Sequence, residues 1–318
     1  MKYLLLALVI GCVSPDSNAM EDPEEGEAES HLETATAATI PACTRGTWCV
    51  ETAPITATTL LHGIWAVSAS DVFAVGDAGT ILRRVNNAWS VMTSGTTRNL
   101  RGVWASSSSD VWASGVSGTV LHYNGTAWST MSTPSTSDVD AVWGSGPSDV
   151  WFAGGGTVLH WNGSGFTTQG FAGTMLSISG TGPRDVWVAG ENTNLHHFTG
   201  SSWVTVNPGA GTSTLFSVLA VSTTDVWATD FMPTKETMHL VGGKWVAQKT
   251  NGSIFNELVA LSASDIWGAG GNDVGHWNGA AWSSEQAFGS NASMWSVTAT
   301  ATDVWLVGSN ALIGHRPL

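Results

Sequence analysis

A tripeptide, Asp-Val-Trp or a close variant, recurs seven times: Asp71-Val72-Phe73, Asp110-Val111-Trp112, Asp149-Val150-Trp151, Asp185-Val186-Trp187, Asp225-Val226-Trp227, Asp265-Ile266-Trp267 and Asp303-Val304-Trp305. Successive aspartates lie 39, 39, 36, 40, 40 and 38 residues apart. A period of this length leaves few folds open, because each unit buries its apolar face only by stacking on its neighbours. In the second unit, residues 100–105, 110–115, 118–123 and 127–131 are short runs rich in Val, Trp, Leu and Thr, separated by Gly, Ser and Asn. Such runs read as four strands joined by tight turns. Seven units of four strands predict an all-β chain, a seven-bladed β-propeller. Its strands are lettered A to D from the axis outward.

The composition agrees. Charged residues make up 11% of the 318, against 37 Gly and 18 Trp. Tight turns need the first, and aromatic wedges between sheets need the second. Strand B carries Trp112, Trp151, Trp187, Trp227, Trp267 and Trp305, with Phe73 in the remaining unit. Strand D carries Trp48, Trp89, Trp128, Trp203, Trp245 and Trp282, with Phe166 once. Equivalent aromatics in nearly every unit point to blade-to-blade packing rather than sugar stacking. The length could hold two ordinary domains, but the unbroken repeat argues for one.

After the seventh Asp-Val-Trp only one further strand fits, residues 311–315, so the last unit lacks strand D. Residues 46–50, Gly-Thr-Trp-Cys-Val, resemble the strand-D segment Gly125-Thr126-Ala127-Trp128-Ser129. The N-terminal segment is therefore expected to complete the last blade, closing the ring and removing free edges.

Three regions follow: 1–12, 13–42 and 43–318. Lys2 and the apolar run 3–10 read as an export signal, too short to span a bilayer as a helix. Val9-Ile10-Gly11-Cys12 resembles the lipobox of bacterial lipoproteins. That resemblance implies a lipidated Cys12 and, with no Asp in Val13-Ser14, an address at the outer membrane or cell surface. Residues 13–42 hold eight acids and no Lys or Arg, and read as a disordered acidic spacer. Cys43 and Cys49 remain, and in an exported chain a disulfide between them is expected. With no His near them in sequence, no metal site is expected there.

The runs Gly79-Thr80-Ile81-Leu82-Arg83 and Gly118-Thr119-Val120-Leu121-His122, with Gly125-Thr126-Ala127-Trp128, resemble the BNR-like and photosystem-assembly-factor-like propellers of exported bacterial proteins. The resemblance implies the propeller fold and an envelope role. The sialidase-type site is not implied: Tyr123 or Trp161 stands where an Asp-box needs Asp, and Tyr123 is the one Tyr beyond the signal. The WD-type His-to-Asp pattern and the Gly-Gly doublets of kelch repeats are also missing.

The repeat permits an internal comparison. Seven residues before each Asp, strand A is always aliphatic: Ile64, Val103, Val142, Ile178, Val218, Leu258 and, allowing one deletion, Val297. Nine before, every unit differs: His62, Arg101, Asp140, Leu176, Phe216, Asn256 and Trp295. A ring of unlike side chains at one opening is expected where packing does not dictate the residue, and it is the candidate ligand site. The insertion at 230–236 adds Phe231 and Met232 as a candidate apolar contact, with Arg98 and Glu191 on the same expected face. The repeated Asp is expected to bond backbone amides in its turn. The His residues at 122, 160, 197, 239, 276 and 315 are expected to make a repeated hydrogen bond rather than to hold metal.

No catalytic constellation, metal site or cofactor motif is found. From Cys43 onward 17 acids face ten Lys and Arg, which argues against nucleic acid. The expected activity is non-enzymatic recognition of a glycan or an envelope or extracellular protein by a monomer. The alternatives are a polysaccharide lyase or hydrolase using Asp140, Glu191 or Asp230, and an envelope assembly factor.

Overall fold

Strand B of each blade is a six-residue run that starts at the repeated Asp: Asp71–Gly76, Asp110–Gly115, Asp149–Gly154, Asp185–Gly190, Asp225–Asp230, Asp265–Gly270 and Asp303–Gly308. It is buried on both faces, so its interior is continuously apolar rather than alternating. This run is the spine of each sheet in the computed structural model, which describes residues 43–192, 194–209, 214–230 and 236–318. There are seven four-stranded antiparallel sheets, and in six of them the strands pair in chain order. The expected all-β, seven-bladed propeller is observed.

The seventh sheet holds both ends of the described chain. Its order from the outside is Cys49–Val50, Ile313–Pro317, Asp303–Gly308 and Met294–Thr300. Strand C of this blade starts two residues later than the expected 311–315. Cys49 pairs with His315 and Val50 with Gly314. Gly46 N donates to Pro317 O at 2.7 Å and Glu51 N to Ile313 O at 2.9 Å, so the pairing extends past the strand. The Cys43–Cys49 disulfide is present and braces this closing strand.

The seams between blades follow one rule. The strand-B aromatic of each blade meets the last side chains of strand C, or strand D, in the next. Phe73 meets Tyr123, Trp112 meets Trp161, Trp151 meets Phe198, and Trp227 meets Trp277. Centroid separations there are 5.0–6.4 Å, the range of favourable offset and edge contacts. This assigns Trp161 and Trp277, which the strand-B and strand-D series left over. At both seams of the closing blade a guanidinium joins the contact, while Trp267 still meets the strand-D Trp48 at 6.0 Å. Arg316 lies over Trp267 at 5.2 Å, and Arg84 lies over Trp305 at 5.9 Å. Each guanidinium is also held by an acid: Arg316 by Glu285 at 2.9 Å, and Arg84 by Glu51 at 2.7 and 2.9 Å.

The repeated Asp does not chiefly bond backbone amides in its turn; that expectation is corrected. Its Oδ1 lies 2.5–2.9 Å from the strand-C His Nε2 in six blades: Asp110–His122, Asp149–His160, Asp185–His197, Asp225–His239, Asp265–His276 and Asp303–His315. Each His ring stacks on the strand-B Trp, with centroids 3.7–4.6 Å apart. In the first blade Arg83 replaces His. It makes a bidentate pair with Asp71 at 2.9 and 2.8 Å and lies over Phe73. Asp, aromatic and strand-C base thus form one interlock per blade. The His-to-Asp link missing as a sequence motif is made here from strand C to strand B.

His315 also stands beside the two cysteines, contrary to the expectation of no nearby His, and one ligand atom from each residue lies within 4.8 Å of the others. The sulfurs are bonded to each other, and both ring nitrogens of His315 face carboxylates, Asp303 and Glu51. This cluster is a structural brace, not a ligand set.

Candidate functional site at the mouth of the central cavity

Strand A lines the axis, and the start of each strand A decides what the axis presents. In five blades the A–B ladder slips by one residue there: between Leu61 and Gly63, Leu100 and Gly102, Met175 and Ser177, Leu215 and Ser217, and Met294 and Ser296. The residues left out of register are His62, Arg101, Leu176, Phe216 and Trp295. A β-bulge releases its extra residue from the ladder and re-aims its side chain. In the other two blades Asp140 and Asn256 stand just before strand A, their amides donating to Ala153 O and Ala269 O at 2.8 Å. All seven residues of the variable ring line a single cavity of about 460 Å³. The aliphatic column next but one belongs to the same lining but is withdrawn from solvent, with Ile64, Val103, Ile178, Val218, Leu258 and Val297 buried in the blade packing.

The mouth is chemically mixed. Arg101 pairs with Asp140 Oδ1 and, at 3.0 Å, with Asp138 Oδ2. His62 Nε2 lies 2.9 Å from Asp77 Oδ1, and its ring meets the edge of Trp295 at 6.2 Å. Trp295 is 42% exposed. Asn256 Nδ2 donates to Met294 O at 2.8 Å, a tie between neighbouring blades. Burial pushes the Asp140 carboxyl above its ordinary value; Arg101 pulls it down, and the nearby charges of Asp138 and Glu191 push it up again.

Of the other candidates, Glu191 accepts from Thr174 N at 3.3 Å and belongs to this electrostatic cluster. Arg98 donates to Ser117 O at 2.9 Å and Thr119 Oγ1 at 3.3 Å, bracing two blades rather than lining the cavity. Asp230 is buried at the end of strand B, outside the cavity lining. Phe231 and Met232, like Cys12 and the spacer 13–42, lie outside the described residues.

One column escaped the sequence comparison. Eight residues before the Asp stand Gly63, Gly102, Ala141, Ser177, Ser217, Glu257 and, with the same deletion, Ser296. Four of these reach across a seam and accept the next blade's backbone N–H. Ser177 accepts from Val218 at 3.0 Å, Ser217 from Leu258 at 3.3 Å, Glu257 from Val297 at 3.0 Å, and Ser296 from Ile64 at 3.1 Å. At Gly63 the strands approach too closely for any side chain, since a Cβ would lie 2.7 Å from Arg101 O. Trp65, Trp104 and Trp143 occur only in the blades with small residues here, two positions further on. The inner wall is therefore aromatic on one side and hydroxyl-rich on the other.

Glu257 does a serine's work with a carboxylate, at a cost. Burial pushes its carboxyl up to about 7, against smaller opposing contributions from Ser296 and the Val297 amide. For an acid with a raised folded-state value, the unfolded chain ionises first as pH rises. The folded state therefore loses stability from about pH 4.5 up to about 7, and the loss then levels off. Glu257→Gln keeps an acceptor for Val297 without the charge. It is expected to gain about 1–3 kcal/mol over the parent at pH 8 and nothing at pH 4, by urea unfolding.

No family model matches the chain, and no curated protein matches it in sequence. Solved structures do match in shape. A YCF48 structure bound to D1 peptide superposes with a TM-score of 0.71 at 14% identity, covering 88% of this chain and 100% of that one. Virginiamycin B lyase from Staphylococcus aureus gives 0.76 at 14%, covering 86% and 99%. The WD40 propeller domain of Doa1 gives 0.69 at 14%, covering 82% and 95%. At such identity these likenesses speak for architecture alone: the chain is a β-propeller.

Proposed function

We propose that this chain is a non-enzymatic recognition propeller that holds a protein partner at the mouth of its central cavity. In the same reading it is exported, lipid-anchored in the bacterial envelope through Cys12, and stood off the membrane by the acidic spacer 13–42. The observation that carries the binding reading is the set of β-bulges: five unlike side chains are taken out of the ladder and turned to one opening. Bulges cost ladder hydrogen bonds and concentrate beside functional sites. Of the two ligand classes expected, protein fits this mouth better than glycan. Cation, carboxylate, amide and aromatic groups alternate around the ring, as a peptide's varied side chains require. YCF48 bound to D1 peptide is a precedent for peptide binding on a fold of this shape. Among the acids expected to serve an enzyme, Asp230 is outside the cavity and Asp140 is engaged by Arg101.

The test is capture of envelope proteins by the full chain and by the Arg101→Ala, Asp140→Ala, Trp295→Ala triple variant. The expected result is one stoichiometric partner, bound at least about tenfold more weakly by the variant, with the thermal midpoints of the two proteins close. Equal capture by both would move the site elsewhere. Shortening of an added polysaccharide by the parent would make the chain an enzyme instead.

A further inference from the structure

We propose that the cavity mouth takes a cationic side chain, Lys or Arg, of the protein partner, laid against Trp295 and neutralised by Asp140 and Glu257. This rests on the recognition reading above and adds the chemical class of the group recognised.

The cavity and its aromatic rim come first. At about 460 Å³ the space is within the range of sites that enclose small ligands or single side chains. Among the described residues the other large apolar side chains that stand well exposed are all valines, several on the outermost strands, such as Val50, Val91, Val204 and Val246. Trp295 is the aromatic exception, and it sits on a bulge at the cavity mouth. An exposed indole at a concave site offers either an apolar ledge or the face of a cation–π pair.

Charge decides between those two. The charged groups of the cavity lining are Arg101, Asp140 and Glu257, with His62 able to join them. Asp77 touches His62, Asp138 touches Arg101, and Glu191 is close enough to raise Asp140. Arg101 therefore serves two carboxylates already, and three further acids share the opening. Glu257 meets no cation in any ion pair among the described residues; its contacts are Ser296 and the Val297 amide. Burial, which disfavours the charged form, raises both carboxyls of the lining, so a counter-charge brought close to them favours their ionisation. A ligand ammonium or guanidinium supplies the missing counter-charge, and it does so where the surroundings are partly desolvated and the attraction is strongest. A phosphate or carboxylate would instead meet Asp138, Asp140, Glu191 and Glu257.

The test uses the full chain with ¹⁵N-labelled tryptophan, reading indole N–H signals. Trp295 is identified by comparison with Trp295→Phe. The probes are capped pentapeptides Ala-Ala-X-Ala-Ala with X as Lys, Arg, norleucine or Glu. Lys and Arg peptides are expected to move the Trp295 signal at concentrations about fivefold or more below norleucine, and to lose that margin as salt is raised. Asp140→Asn and Glu257→Gln are each expected to cut the margin by half or more, with the other indole signals in place as evidence of an intact fold. Norleucine equal to Lys and Arg, a preference for Glu, or cationic peptides that move other indoles but not Trp295 would each overturn the proposal. If that happens while the triple variant still loses its envelope partner, recognition stands and only the cation assignment falls. If no peptide moves Trp295 and the triple variant captures as the parent does, recognition at this mouth falls with it.

Discussion

Glu51→Ala is expected to lower the unfolding free energy by about 3–5 kcal/mol, the usual cost of removing one partner from a buried charge pair. Glu51 directly follows the closing strand. Its carboxylate accepts from Arg84 Nε and Nη2, from Trp89 Nε1 at 2.7 Å, and lies 2.8 Å from His315 Nδ1. Removing it strands the Arg84 and His315 side chains, which are 5% and 8% exposed. It also unties the last blade from the first. The sign of the pH effect follows from the same contacts. Burial alone would raise the Glu51 carboxyl, but His315, Arg84 and Trp89 together lower it to about 2. A depressed carboxylate stabilises the fold above its unfolded value and loses that contribution as pH falls through the folded one. The parent should lose about 3 kcal/mol between pH 4.5 and 2 on this account. Glu51→Gln should show a shallower acid limb in urea midpoints across that window, and an unchanged slope would remove the carboxylate from the closure.

The second large effect separates tryptophans that hold the ring from the one that faces outward. Trp227→Ala is expected to cost about 3–5 kcal/mol, since the ring is fully buried between His239, Trp277 and Trp282. Trp295→Ala is expected to change stability by no more than about 0.5 kcal/mol, as for exposed positions generally. Its loss should show in binding. Urea midpoints for both variants check the contrast. A large drop for Trp295→Ala would mean that its packing on His62 is structural and would weaken the case for the mouth.

What could be read from the sequence is what repeats. Strand B, the aromatic series and the variable ring each appear in every unit, so aligning the chain on itself gives seven samples of each position. The Glu257 column was legible in the same way, because an acid among Gly, Ala and Ser stands out. It is less conspicuous than the ring because the column departs from small residues in one blade out of seven, not in all. The bulges were not legible: a one-residue slip in pairing leaves no mark on composition, and only the backbone register shows that His62, Arg101 and Trp295 have left the ladder. Glu51 had no column to be compared in, since it lies in the closing segment that occurs once. The repeated His hydrogen bond was legible, but its Asp partner was not, for a different reason. The partners are 11–14 residues apart in sequence and adjacent only across the B–C ladder.

The shared seventh sheet also sets an order in time. Cys49 pairs with His315, so the ring cannot be completed until His315 has emerged from the ribosome. Until then strands A and B of the seventh blade expose a B-strand edge, the N-terminal strand waits unpaired, and a seam stays unfilled. Such edges invite pairing with other chains, and the wait is long because the closing contact spans 266 residues. The Arg–acid clamps that flank the seventh blade then do more than seal it. Charged groups draw the two ends together from a distance at which apolar surfaces exert no pull, and they leave the waiting edge soluble meanwhile. Slowing translation just ahead of the strand that holds His315 should lengthen that vulnerable interval, and diluting the nascent chain should relieve it.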